Sequence, residues 1–236
     1  MIYIAGPCGF ENYEMAEKTI KFLTEKGIKY IRGGAEKYRS NPKDYQGSHD
    51  IFYWIKELKK KYTFKYVCEI FNVNQLIQNH DIIDIVQIGS RSMYNTDLLK
   101  HINMLSETNI LKKPILFKRH YCASLQEFVN HSNYLKDCEV IMCLRGKQSL
   151  HPQEQRFTPD VTDIPRLREM TDKKICYDIS HSACDKKYVE GLYKAAKTYK
   201  PNYIMVEVHP EPEKALSDAQ QQLNFKEFER MTGKGE

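Results

Sequence analysis

Three features of the sequence predict a single-domain α/β fold, a TIM (β/α)8 barrel. Short apolar runs alternate with longer amphipathic stretches from end to end. No linker or low-complexity segment interrupts them across 236 residues, and polar residues recur where the apolar runs stop. Alternation of this kind builds parallel βαβ units, and eight such units close a ring at about this chain length.

The apolar runs fall at residues 2–5, 30–31, 66–70, 85–88, 115–117, 140–144, 175–177 and 203–208. They are too short for helices, and the last, opening Tyr203-Ile204-Met205-Val206, has the β-branched content of a buried strand. In extended chain Glu207 and His209 face one side there and Val206 and Val208 the other, and Pro210 and Pro212 end the strand. Between the runs, residues 11–26, 50–62, 73–79, 96–108, 125–136, 164–171 and 185–199 read as helices, most of them amphipathic in spacing. A last helix is expected over 225–231. The longest irregular stretches, 33–49 and 146–163, both follow strands, the end of a barrel that serves the active site.

Composition narrows the class. A hydrophobic fraction of 41% is that of an ordinary globular chain, and no apolar run approaches membrane-spanning length. The N-terminal MIYIAGPC lacks the basic and apolar regions of a signal peptide. Seven cysteines, an odd number without CxxC spacing, argue against a disulfide framework and for a reducing, cytoplasmic setting. The net charge of +5 is modest, and the lysine-rich stretch 56–61 reads as a solvated helix face, so nucleic acid is not the expected partner.

At the predicted strand ends stand Cys8, then Arg32 with Lys37 and Arg39, then Glu69, Ser90 with Arg91, Lys118, Arg145, His181 and Glu207. A closed barrel gathers all of these around one pocket. Cys8, His181, Glu207 and Asp218 offer sulfur, nitrogen and oxygen, a mixture suited to one divalent transition metal (Mn, Fe, Co or Zn) rather than to Mg or Ca. The bland alternative is a buried thiol and a core histidine. Arg32, Lys37, Arg39, Arg91, Lys118 and Arg145 would repel one another unless an anion sat among them. Glu69 beside Lys118 reads either as a proton-handling pair or as a structural ion pair.

The ordered set AGPC (5–8), IRGGAEKYR (31–39), QIGSR (87–91), LFKR (116–119), CLRG (143–146), DISHS (178–182) and EVHPEPEKALSDAQQ (207–221) resembles 3-deoxy-D-arabino-heptulosonate 7-phosphate (DAHP) synthase. The likeness is to the type I branch related to 3-deoxy-D-manno-octulosonate 8-phosphate (KDO8P) synthase. It implies condensation of phosphoenolpyruvate (PEP) with erythrose 4-phosphate, the entry to the shikimate pathway. Carried onto this chain, it implies metal ligands Cys8, His181, Glu207 and Asp218, and PEP contacts Arg32, Lys37, Ser90, Arg91, Lys118 and Arg145. Arg39 and Ser40 would meet the aldose phosphate, and Lys37, or Glu69 with Lys118, would handle protons, with His181 at the reacting centre and His209 a lesser candidate.

Relatives of this kind form dimers or tetramers, so a homo-oligomer is expected. The chain begins at its first strand, which predicts one catalytic barrel over 1–236 with no regulatory domain and no inhibition by Phe or Tyr. Three departures from the family pattern bear on the aldose: Tyr38 replaces a proline, His120 a glycine, and Ala183-Cys184 a pair of glycines. The alternatives are KDO8P synthase, taking arabinose 5-phosphate, and a non-catalytic sugar-phosphate-binding barrel.

Overall fold

The computed structural model describes residues 1–37, 39 and 41–233. Its strands are β1 (Ile2–Gly6), β2 (Tyr30–Arg32), β3 (Lys65–Glu69), β4 (Ile85–Ile88), β5 (Ile115–Lys118), β6 (Val140–Leu144), β7 (Lys147–Gln148), β8 (Phe157–Thr158), β9 (Lys174–Asp178) and β10 (Tyr203–Glu207). Among them β1, β2, β3, β4, β5, β6, β9 and β10 close a parallel barrel, and β7 pairs with β8 as a small antiparallel ribbon. The helices are α1 (Tyr13–Glu25), α2 (Asp50–Lys61), α3 (Val73–Gln78), α4 (Thr96–Glu107), α5 (Leu125–Ser132), α6 (Asp163–Met170), α7 (Ile179–Ala183), α8 (Lys186–Thr198) and α9 (Phe225–Thr232).

Helix starts follow local chemistry. Asn12 caps α1 by accepting from the Met15 N–H at 2.9 Å, and Asn72, Ser124 and Asn224 close capping boxes at α3, α5 and α9. The lysines of α2 form a salt-bridged solvated face: Lys56 meets Asp81, Lys59 meets Asp84, Lys60 meets Glu57 and Lys61 meets Glu17. No helix among the described residues is long and apolar enough to cross a membrane.

Side chains alternate along each strand, and this sorts the apolar residues into two cores. Ile4, Val67, Ile85, Leu116, Ile141, Cys143, Cys176 and Met205 fill the barrel interior. Their neighbours Ala5, Tyr66, Cys68, Val86, Phe117, Met142, Tyr177 and Val206 pack outward under the helices. Continuing the same parity by two residues brings Arg32, Glu69, Gln87, Lys118, Arg145, Asp178 and Glu207 into one layer above the interior core, at the C-terminal ends of the strands. Gly6 completes that layer without a side chain. Its φ is +142°, and a Cβ there would stand 2.1 Å from the Arg32 carbonyl oxygen, so β1 and β2 approach closely only because this residue is glycine.

Arg119, one residue beyond Lys118, takes the opposite parity and leaves the mouth. It donates to the Ala123 carbonyl at 2.6 Å and to Asp163 at 2.7 Å, with Asp160 3.5 Å away. Burial raises the Asp160 carboxyl to about 6, against the Gly146 N–H and Arg119, which favour its ionised form. Its folded pKa therefore lies above the unfolded value near 4. The stability this group contributes is full below about pH 4 and is lost as pH rises through 6. Relative to the native chain, Asp160→Asn should gain up to about 3 kcal/mol between pH 4 and pH 7, read from denaturation midpoints. Parallel curves for the two proteins would refute the assignment.

A candidate active site at the barrel mouth

The layer of polar strand ends opens into a cavity of about 290 Å³. Cys8, Arg32, Lys37, Arg39, Glu69, Ser90, Arg91, Lys118, Arg145, His181 and Asp218 line it, so nearly every residue singled out from the sequence meets here. Glu207 is fully buried behind Arg32, and Ser40 and Tyr38 lie outside the described residues. His209 does not line the cavity; it is buried, with its Nε2 3.8 Å from Glu11.

On one side of the cavity the donor atoms of Cys8, Glu207 and Asp218 all lie within 4.8 Å of one another. Asp218 reaches the group from a left-handed backbone position, φ +50°. The Cys8 thiol donates to Asp218 Oδ2 at 3.0 Å, and the Lys37 ammonium stands 2.8 Å from the same sulfur. Burial pushes the Cys8 thiol up to about 12 even though Lys37 pulls the other way. Burial would also raise Asp218, but His181 and Lys37 outweigh it and hold that carboxylate well below its ordinary value.

Arg32 donates to Glu207 at 2.7 Å, and Gln221 holds the other oxygen of that carboxylate at 2.6 Å. The His181 ring flanks the cluster rather than joining it, with Nδ1 3.8 Å from Glu207 and Nε2 3.8 Å from Asp218. Its Nδ1 also stands 2.9 Å from Asp178 Oδ2, off the direction of a good hydrogen bond. Burial lowers the His181 pKa against the pull of Asp178 and Glu207, which favours the neutral imidazole whose Nε2 serves as a ligand. This mixture of thiol, carboxylate and imidazole fits a divalent transition metal.

The opposite side is cationic. Lys118 pairs with Asp178 at 2.6 Å, and no ion pair joins it to Glu69 among the described residues. Glu69 instead accepts from Gln87 at 3.1 Å and packs on Gly89, where a Cβ would stand 1.7 Å from its Oε1. The proton-handling pair suggested by the sequence is thus replaced by two separate couples. Ser90 donates to the Arg119 carbonyl at 2.8 Å, which turns that loop toward the cavity. Arg145 is buried, and its Nε and Nη1 find no hydrogen-bond partner among the described residues. Burial lowers its pKa, with Asp178 the largest opposing influence. A guanidinium that lines the cavity with donors unsatisfied by the protein calls for an anion.

Sequence reading passed over several of the residues found here. Asp178 stands at a predicted strand end, where the sequence assigns it no role: it joins Lys118 to His181, and it also caps α7, whose five residues are too few to show helical periodicity. Tyr121, Arg156 and Phe157 line the cavity from a loop and the β7–β8 ribbon. His120 stacks on Tyr121 at 4.2 Å, and of the two it is Tyr121 that lines the cavity. The turn after α7 keeps a left-handed residue although glycine is absent: Cys184 takes φ +63°. A non-glycine residue there costs about 1–2 kcal/mol.

Fold and cavity together define a barrel enzyme built for a small anionic substrate. The chain belongs to the DAHP synthetase I family, whose description matches residues 1–236. It is 35% identical over 232 residues to the phospho-2-dehydro-3-deoxyheptonate aldolase of Thermotoga maritima, covering 97% of this chain and 67% of the relative. A crystal structure of the Thermotoga maritima DAHP synthase superposes with a TM-score of 0.90 at 34% identity, over 99% of this chain and 67% of that one. A more distant relative is the 2-dehydro-3-deoxyphosphooctonate aldolase of Fusobacterium nucleatum subsp. nucleatum, 24% identical over 98% of this chain and 87% of its own. The DAHP synthase family is metal-dependent in general and uses PEP and erythrose 4-phosphate.

Proposed function

We propose that this chain is a 3-deoxy-7-phosphoheptulonate synthase, a transferase that condenses PEP with erythrose 4-phosphate to give DAHP and inorganic phosphate. The observation that carries the reading is the pairing of a Cys8–Glu207–Asp218 cluster with a buried, donor-rich Arg145 across one small cavity.

In this reading Cys8, His181, Glu207 and Asp218 hold one divalent transition metal. When bound, the metal supplies Lewis acidity toward the aldehyde oxygen. The chain's own residues do the rest. Arg91, Arg145 and Lys118 bind the phosphate and carboxylate of PEP, with Arg32, Lys37 and the backbone near Ser90 assisting. Arg39, 3.7 Å from Asp44 at the rim, meets the aldose phosphate together with Ser40. The methylene carbon of PEP then forms a bond to the aldehyde carbon. Water adds at the PEP carbon bearing oxygen, and phosphate leaves by cleavage of the C–O bond. Lys37, which burial would discharge but the neighbouring Cys8 and Glu69 keep protonated, is placed to give a proton to the new hydroxyl side. Glu69, which also lines the cavity, is placed to take one from the attacking water. A cytoplasmic homo-oligomer belongs to the same reading.

Phosphate release measured with PEP and a panel of aldose phosphates tests it. The expected result is a higher kcat/KM with erythrose 4-phosphate than with arabinose 5-phosphate. Preference for arabinose 5-phosphate would make the chain a KDO8P synthase, and no release with any aldose would leave a sugar-phosphate-binding barrel.

A further inference from the structure

We propose that Phe157 is a positioning residue whose ring holds the Arg145 guanidinium in the cavity wall without drawing its N–H donors away from a substrate anion. The inference rests on the reading that the cavity takes PEP. It begins with an imbalance in the polar layer. Arg32 is matched by Glu207 at 2.7 Å and Lys118 by Asp178 at 2.6 Å. Arg145, only 5% exposed, has no ion-pair partner among the described residues. What it has is an aromatic face: its Cζ lies 3.9 Å from the centroid of the Phe157 ring.

The choice of partner matters chemically. A carboxylate in place of the ring would occupy the guanidinium donors and compete with any anion that entered. A ring attracts the cation through its quadrupole and takes no N–H at all, so Nε and Nη1 remain unpartnered, as observed. The same ring carries the Arg156 guanidinium at 4.8 Å, so two like charges share one apolar support beside the cavity. An anion bridging them would remove their repulsion.

Phe157 is itself held rigidly. It sits in the β7–β8 ribbon opposite Gln148, whose N–H donates to the Tyr121 carbonyl at 2.8 Å. The Tyr121 ring lies 5.7 Å away. On the inner side Gly146, at φ +89°, lets the chain pass so close that a Cβ there would stand 3.1 Å from the Phe157 Cβ. The ring therefore fixes the plane of Arg145 rather than following it.

The test uses steady-state kinetics and PEP-binding calorimetry on the native protein, Phe157→Leu, Phe157→Tyr, and protein carrying pentafluorophenylalanine at 157, which keeps the shape and reverses the quadrupole. Loss of a desolvated cation–π contact should raise the KM and Kd for PEP roughly 10- to 30-fold in the leucine and fluorinated proteins. The KM for erythrose 4-phosphate and kcat should move by less than about threefold, because Arg145 grips PEP alike in the ground and transition states. Phe157→Tyr should behave as the native protein does. A fluorinated protein with native PEP affinity, or a leucine variant that loses kcat and PEP affinity together, would overturn the proposal. If the leucine variant fails to fold, the tyrosine and fluorinated proteins carry the comparison. If the native protein binds PEP without turnover, the functional reading falls while the calorimetry still judges the ring. If it binds neither PEP nor inorganic phosphate, the proposal falls as well.

Discussion

Treatment with a strong chelator should lower PEP-dependent phosphate release by about 10²- to 10³-fold, with recovery on adding back Mn, Fe, Co or Zn. The expectation follows from the donor set. The donor atoms of Cys8, Glu207 and Asp218 lie within 4.8 Å of one another, and His181 Nε2 stands 3.8 Å from Asp218. Two carboxylates and a thiol crowd one space here, with Arg32 on Glu207 and Lys37 on Cys8 as their positive partners. A transition metal would displace the thiol proton and supply the positive charge this donor set lacks. Cys8→Ser should reduce bound metal and rate together while far-UV circular dichroism stays native, because only one sulfur is exchanged for oxygen. Full turnover in excess chelator would remove the metal from the reading, and metal content and rate unchanged in Cys8→Ser would make Cys8 only a buried thiol.

Lys118→Met is the second variant with a large expected effect. Lys118 and Asp178 are both buried and meet at 2.6 Å. Burial would raise the Asp178 pKa, but His181 and Lys118 hold it well below the ordinary carboxylate range. Removing the lysine leaves a charge out of water with one of its principal partners gone. Loss of one member of such a pair costs about 3–5 kcal/mol, so the denaturation midpoint should fall clearly. Turnover should fall about 10²- to 10⁴-fold, as for loss of a positioned charge or proton donor in an active site. The double variant Lys118→Met/Asp178→Leu separates the two effects: it should regain most of the stability and none of the activity. Recovery of activity in the double variant would show that the pair is only structural.

The barrel was legible because parallel strands covered on both faces read as nearly continuous apolar runs, and runs such as 140–144 coincide with the observed strand β6. The candidate ligands were legible because side-chain parity carries strand-end residues to one mouth. Pairings within that mouth were not. Glu69 on β3 and Asp178 on β9 both lie two strands from Lys118 on β5, so distance around the ring does not choose between them. The side chain in between does: the Gln87 amide engages Glu69, whereas Arg145 turns onto Phe157 and leaves Asp178 to the lysine. Such choices depend on packing across the ring, which no local spacing encodes. The β7–β8 ribbon escaped notice for a related reason, since two residues per strand give no alternation to read.

Asp178 also restricts how this chain can vary. Its Oδ2 lies against the Lys118 ammonium and the His181 ring, and its Oδ1 accepts the His181 backbone N–H at 3.1 Å. Asparagine turns one of those acceptors into a donor whichever way the amide is flipped, facing either an ammonium or a peptide N–H. Glutamate carries the carboxylate one methylene past both. The position is therefore locked by geometry to a single amino acid, and the segment following β9 can drift in sequence around it but not through it.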